Sequence, residues 1–335
     1  MNRSFAHYIT KYFGEYLTKQ RGASENTLRS YRDTFVQMVE YFGHKHKIHI
    51  NKLSMDDFTC SRVLSFLDCL ENERNISLST RNQRLAAAIH SFFKFIQRNE
   101  PSCFSQCADI LAIEFKKKPE SIIGYLSIEE TQFLFSMSNA RCHRELRDLT
   151  ILTTLYETGA RVQELINLHL GDISLTSCPT VILSGKGNKS RTVPISNDVA
   201  SILRSYIKNY AITKTDQHLF TNSQKNKLTR VGVQYVIDKY VERGRTLNPV
   251  MLRKNISNHS FRHCKSMHLL EAGVNLLYIR DFLGHTSVTT TEVYAKTNSE
   301  IKRKTIEQHG AKIDIQNKYS EIKKNDLLNW LKSTF

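Results

Sequence analysis

Residues 258–294 run NHSFRHCKSMHLLEAGVNLLYIRDFLGHTSVTTTEVY, and their apolar spacing predicts two helices, Phe261 to Gly273 and Asn275 to Leu283. His259 and Arg262 lie three apart at a helix start, so one turn projects both to the same side. A helix N-terminus also offers partial positive charge to an anion. His285 follows Gly284 at a helix end, and Tyr294 stands nine residues further on in a threonine-rich stretch. Imidazoles move protons, and a phenol becomes an oxygen nucleophile where a base or a positive field favours its phenolate. Each group alone is ordinary: a lone arginine is most often a surface charge and a lone tyrosine a packing residue.

Working outward, Thr158-Gly159-Ala160-Arg161-Val162-Gln163-Glu164-Leu165 interrupts a helical pattern that extends from Glu145 to Leu168. Thr180 to Leu183 and Thr192 to Ile195 are rich in β-formers and flank the turn cluster Gly185-Lys186-Gly187-Asn188, which predicts a short hairpin. Lys189 and Arg191 continue its basic tip. Helical periodicity returns over Ser127 to Ser136, Asp198 to Tyr210 and Arg230 to Arg243. Two arginines can grip the non-bridging oxygens of one phosphate, and a hairpin lysine can reach a leaving oxygen. Arg161, Lys186, His259, Arg262, His285 and Tyr294 are therefore candidates for binding a phosphate and moving its protons.

The first part of the chain is helical. Ser24 to Phe42 carries Leu28, Tyr31, Phe35, Met38, Val39 and Phe42 at three- and four-residue intervals, with Ser24 as cap and Gly43 as stop. Helices are also expected over Phe5 to Thr18, Asp57 to Leu70 and Ser79 to Ile96, making a four-helix unit. Arg81, Asn82 and Arg84, at the start of the last helix, are candidate phosphate contacts. Glu114-Phe115-Lys116-Lys117-Lys118-Pro119-Glu120 is charged, broken by proline and lacks helical periodicity, so it reads as a linker whose lysines either stay solvated or follow a nucleic-acid backbone.

Composition narrows the partner. The 335 residues carry 48 Lys and Arg against 32 Asp and Glu, a formal charge of +16. Up to Ile122 there are 18 cations against 13 carboxylates and beyond it 30 against 19, so both parts are basic. Such an excess suits a polyanion whose counterions are released on binding. No apolar run approaches the ~20 residues needed to span a bilayer. Met1 to Phe13 is interrupted by Arg3, His7 and Lys11, unlike a secretory signal. A cytoplasmic, nucleoid-associated protein is expected. Seven scattered cysteines without a Cys-x-x-Cys pair argue against disulfides or a zinc ribbon. His259 and His263 have zincin spacing, but Ser260 stands where a zincin carries glutamate, so no metal or other cofactor is expected.

The ordered set Arg161, Lys186, His259-x-x-Arg262, His285, Tyr294 resembles the signature of the tyrosine recombinases of the phage integrase family. Arg161 within Gly-Ala-Arg-x-x-Glu-Leu resembles the first catalytic arginine, and Lys186 in Gly-Lys-Gly-Asn-Lys-x-Arg the hairpin lysine. Phe261 departs from the commoner leucine. Glu164 matches the acidic residue that buttresses the site. The resemblance implies a mainly α protein with a small β-sheet, in which a helical core-binding domain (1–112) and a basic linker (113–123) precede a mixed α+β catalytic domain (124–310), closing as a clamp around DNA. It also implies a tail (311–335) docking on a neighbouring subunit, with Leu327, Leu328, Trp330 and Leu331 as its apolar stripe. The implied activity is site-specific recombination through a 3′-phosphotyrosine intermediate, for a mobile element, by a tetramer on two duplexes or a dimer on one. Arg81, Asn82, Arg84, Lys116, Lys117, Lys118, Lys189 and Arg191 are the candidate DNA contacts. A type IB topoisomerase, with the same chemistry but resealing one strand, and a non-catalytic architectural DNA-binding protein are the alternatives.

Overall fold

Ser24 opens the second helix by accepting a hydrogen bond from the Thr27 amide, which satisfies one of the amides a helix start leaves unpaired. In the computed structural model, which describes residues 4–117, 124–138, 142–185, 189–252, 255–285, 287–288, 291–292 and 332–333, the chain divides into two units, Met1–Ser121 and Ile122–Phe335.

The first unit contains α1 (Phe5–Lys11, continued by Tyr12–Gln20), α2 (Glu25–His46), α3 (Cys60–Asn72), α4 (Leu78–Arg84, continued by Leu85–Ile89 and His90–Asn99) and α5 (Phe104–Leu111). Their apolar faces meet in an aromatic core of Phe5, Tyr12, Phe35, Phe42, Phe58, Phe66, Phe92 and Phe93. Tyr12 and Phe92 pack edge to face at 5.2 Å, the arrangement that ring quadrupoles favour. Each such ring contributes about 1.5–3 kcal/mol by leaving water. Gly43 does not stop α2: the helix continues to His46, whose ring packs on Tyr41 and Phe42, and ends at Lys47 in the left-handed region. Two further differences from the sequence expectation are α3, which starts at Cys60 behind a turn at Met55–Asp57, and α5, which adds a fifth helix against α4.

The second unit contains α6 (Ile128–Ser136), α7 (His143–Thr158), α8 (Val162–Ile166), β1 (Ile173–Ser174), β2 (Thr180–Ser184), β3 (Ser190–Pro194), α9 (Asn197–Asn209), α10 (Arg230–Leu247), α11 (Asn258–Glu271) and α12 (Leu276–Leu283). The strands form one antiparallel sheet in the order β1-β2-β3, with Leu183 opposite Arg191 and Ser184 opposite Ser190. Alternation along β2 sends Val181 and Leu183 into the core, where they join Leu152, Leu155, Leu165, Leu203, Phe220, Ile237 and Phe261. Residues just after the linker are pinned to α11. The Leu126 amide donates to Cys264 Sγ at 3.1 Å, and His268 Nε2 lies 2.9 Å from the Leu126 carbonyl. All seven cysteines are free. Among the described residues, no helix is long and apolar enough to cross a membrane.

Candidate active site

Two helix ends in the left-handed conformation build the site. α7 stops at Gly159 (φ 56°), where an added Cβ would lie 3.0 Å from Leu283 Cδ2 and 3.2 Å from the Phe282 ring. Glycine is therefore needed there both for backbone freedom and for close approach of the two helix ends. The chain then leaves the core at Ala160 and places Arg161 as the residue capping α8. α12 stops in the same way at Gly284 (φ 64°); the Gly284 amide reaches the Asp281 carbonyl and the His285 amide reaches that of Arg280. The carbonyls of Phe282, Leu283 and Gly284 remain, because a helix end leaves its last acceptors unpaired.

Each of those three carbonyls receives a different arginine. Arg191 Nε donates to Phe282 O at 2.9 Å, Arg262 Nη2 to Leu283 O at 2.6 Å, and Arg161 Nη2 to Gly284 O at 3.4 Å. The helix dipole adds to this attraction for cations. Arg262, 4% exposed, also donates from Nη1 to the Gly159 carbonyl at 2.8 Å, so one guanidinium joins the two glycine-capped ends.

Glu164 is the anion under this array. Only 3% exposed, it accepts from the Arg161 amide (2.9 Å), from Arg161 Nη1 (2.8 Å), and from Arg191 Nη1 and Nη2 (3.1 and 2.8 Å). Burial pushes its pKa up, but the hydrogen bonds and charges of Arg191 and Arg161 outweigh burial and hold the carboxyl below its ordinary value.

The imidazoles face the same positive hollow. Desolvation and then Arg262, Arg161, Arg191 and His263 lower the His285 pKa to about 4. Desolvation, Arg262, Arg161 and Arg230 lower that of His259, and desolvation, His259 and Arg262 that of His263. Both histidines of the signature are thus neutral near pH 7. His285 Nδ1 lies 3.0 Å from the buried Thr291 hydroxyl; a hydroxyl donating to Nδ1 leaves the ring proton on Nε2, ready for an anionic oxygen. Because the unfolded chain binds this proton near pH 6.5 and the folded chain only near pH 4, stability is expected to fall as pH drops from about 6.5 through about 4. An NMR titration of His285 should give a midpoint near 4 in the free protein and a higher one with duplex bound, where a phosphate offsets the arginines. A free-protein midpoint near 6.5 would contradict this environment.

Arg161, Glu164, His259, Arg262 and His285 thus come together in one hollow, and Arg230, bonded to Gln163 at 2.9 Å, borders it. Lys186 and Tyr294 lie outside the described residues, as does Lys118. Lys189 is exposed on the hairpin, and its carbonyl accepts the Gly185 amide at 2.8 Å. Arg191 differs from the exposed basic tip expected from sequence: 13% exposed, it forks onto Glu164 and reaches the Phe282 carbonyl inside the protein. Thr291 and the carbonyls of Gly159 and of residues 282–284 escaped the sequence reading, since only a fold reveals which backbone oxygens are left over.

In the first unit Arg81 and Asn82 are likewise corrected. Both are buried: Arg81 donates to Asn82 Oδ1 at 3.2 Å, and Asn82 exchanges hydrogen bonds with the Lys116 backbone at 2.8 and 3.2 Å. Lys116 Nζ completes the lock on Glu71 at 2.7 Å. Helix α4 begins at Ser77, so Arg81 falls a full turn inside it and turns toward α3. Arg84 is half-buried and bonds Gln37, while Lys117 is exposed.

Comparison with known proteins places this arrangement. Residues 125–300 match the phage integrase family, and residues 10–100 match the phage integrase N-terminal SAM-like domain. The chain is 31% identical over 300 residues to the putative integrase/recombinase y4rC of Sinorhizobium fredii, covering 89% of this chain and 90% of that one. It is 31% identical over 279 residues to the tyrosine recombinase XerD of Halalkalibacterium halodurans, covering 82% and 88%. Its fold is similar to that of the Tn1549 transposon integrase in complex with transposon right end DNA, with a TM-score of 0.69, 18% identity, and coverage of 90% and 99%. It is also similar to the site-specific recombinase XerH bound to difH substrate, with a TM-score of 0.64, 22% identity, and coverage of 88% and 82%.

Proposed function

The chain belongs to the phage integrase family of site-specific tyrosine recombinases, and from that premise we propose that it cuts and rejoins duplex DNA through a 3′-phosphotyrosine intermediate with Tyr294 as nucleophile. The observation that carries the proposal is the convergence of Arg161 and Arg262 beside neutral His259 and His285. The two guanidiniums hold the non-bridging oxygens of the scissile phosphate. The Tyr294 oxygen bonds to phosphorus and its proton passes to His259, whose lowered pKa keeps it in the accepting form. The bond from phosphorus to the 5′-oxygen breaks, and that oxygen takes a proton from Lys186. His285 steadies the phosphate through Nε2, and Glu164 holds Arg161 in place. A 5′-hydroxyl from a second duplex then reverses these steps and releases the tyrosine. Bond energy is conserved throughout, so neither metal nor nucleotide cofactor is required.

The Tn1549 integrase and XerH were both solved with DNA, which supports double-stranded DNA as the partner, and the transposon origin of the former supports a mobile element as the setting; on this reading the protein works at the cytoplasmic nucleoid. On this reading the helical domain (1–112), basic linker (113–123) and catalytic domain (124–310) close around one duplex. Residues 311–335 dock on a neighbouring protomer, and four protomers hold two duplexes.

The test starts from a site selected by binding from a randomised duplex pool. Two site-bearing duplexes of different length should exchange ends, in excess chelator as well as without it. Sedimentation of the mixture should count four protomers with the full chain and fewer with a chain ending at residue 310. Supercoil relaxation without exchange would make the protein a topoisomerase, and binding without cleavage an architectural protein; either result overturns the proposal.

A further inference from the structure

Arg191 has the chemistry of a phosphate ligand but spends it inside the protein. Its Nη1 and Nη2 fork onto Glu164, its Nε reaches the Phe282 carbonyl, and its Cδ and Nη1 lie 3.1 Å from where a Cβ on Gly284 would stand. A planar fork aimed at a carboxylate, with the Nε–H directed to a separate carbonyl, fixes the strand that carries it in position and orientation. That strand is β3, whose partner residue opposite Arg191 is Leu183 at the end of β2. The other root of the hairpin passes close to the same carboxylate: a Cβ on Gly185 would lie 3.2 Å from Glu164 Oε1, and the Gly185 amide donates to the Lys189 carbonyl. The next residue after Gly185 is Lys186.

We propose that Arg191 is a positioning residue for strand cleavage: by bridging β3 to Glu164 and to the C-terminus of α12, it sets where the hairpin turn delivers its lysine to the leaving 5′-oxygen. The proposal rests on the reading of Lys186 as the general acid. Arg161 and Arg262 stabilise charge on the phosphate, whereas Arg191 acts on the leaving group through the hairpin, so the two kinds of arginine respond differently to a change of leaving group. Replacing the bridging 5′-oxygen with sulfur supplies that change, because a thiolate departs without being protonated.

The experiment compares Arg191→Lys with wild type on site-bearing nicked duplexes, one with oxygen and one with sulfur at the scissile 5′ position. Lys186→Ala, Lys189→Ala and Arg262→Lys are run alongside, with binding and melting measured for each. Arg191→Lys keeps the charge but loses the fork. Its cleavage is expected to slow about 10²-fold on the oxygen substrate, with binding changed less than about 3-fold, and to return to within about 5-fold of wild type on sulfur. Lys186→Ala should be rescued in parallel, and Arg262→Lys should not. If Lys186→Ala is rescued while Arg191→Lys is equally slow on both substrates, or is never slow, Arg191 serves only stability or the phosphate clamp and the proposal is overturned. Rescue of Lys189→Ala instead of Lys186→Ala moves the acid along the same turn and leaves rescue of Arg191→Lys as support. If neither lysine variant is rescued, the general-acid reading fails, and the proposal with it.

Discussion

Replacing Tyr294 with phenylalanine should abolish covalent capture of DNA and slow strand cleavage by about 10⁴-fold or more, the loss expected when the sole nucleophile of a covalent mechanism is removed. The substitution deletes one oxygen and keeps the ring, and the cations that grip DNA are untouched, so affinity for the site should stay within about 2-fold. The measurement is denaturing electrophoresis of the protein with a nicked, radiolabelled duplex, in which the 5′ product diffuses away and the adduct accumulates. Tyr278 is the control, since its phenol is 72% exposed on α12, close in sequence to His285. Tyr278→Phe should leave the adduct unchanged. Tyr156 is a poor rival, because burial raises its pKa to about 12 and its hydroxyl is tied to His268 Nδ1 at 2.8 Å. An adduct that persists in Tyr294→Phe and vanishes in Tyr278→Phe would move the nucleophile onto α12.

Arg262→Ala should be costly twice. It removes one arm of the phosphate clamp, for which about 10²–10³-fold in cleavage rate is expected. It also strips the Gly159 and Leu283 carbonyls of their donors inside the protein, at about 1–3 kcal/mol each unless water enters. Arg262→Lys separates the two effects. A lysine ammonium keeps the charge but cannot span both carbonyls and a phosphate, so it should recover part of the stability and little of the rate. Urea unfolding midpoints and single-turnover cleavage of the nicked duplex read the two quantities. Wild-type cleavage in Arg262→Lys would show that charge alone, without the fork, suffices.

The site was legible to the extent that its chemistry is written in side chains. Arg161, Glu164, His259, Arg262 and His285 are named by type and order, and the structure brings them together. The settings of Arg191 and Arg81 were not legible, because a basic residue looks the same in sequence whether it faces solvent or a buried carboxylate. What decides between them is the carboxylate that the fold brings alongside, Glu164 for Arg191 and Glu71 for Arg81. Helix positions were legible from periodicity, as in α2 and α12, but helix ends were less so. Gly43 is permitted to end a helix and does not, because His46 gains more by packing on Phe42 and Tyr41. Gly284 does end one, in the left-handed conformation, with its own amide and that of His285 turned back onto the Asp281 and Arg280 carbonyls.

The end of α12 also gathers more positive charge than a resting phosphodiester can cancel. The three guanidiniums bonded to residues 282–284 and the one carboxylate beneath them leave a surplus of two positive charges, since His285 is uncharged at neutral pH. A bound phosphodiester cancels one of these, and a pentacovalent phosphorus, with its second negative charge, cancels the other. Lys186, an ammonium on the proposed reading, and Arg230 add to that surplus, so the positive charge exceeds what the resting substrate needs and favours the more negative transition state, the condition under which binding energy lowers the barrier. Because Arg262 is anchored at Leu283 through a backbone oxygen of no net charge, that anchor does not depend on which side chain occupies position 283.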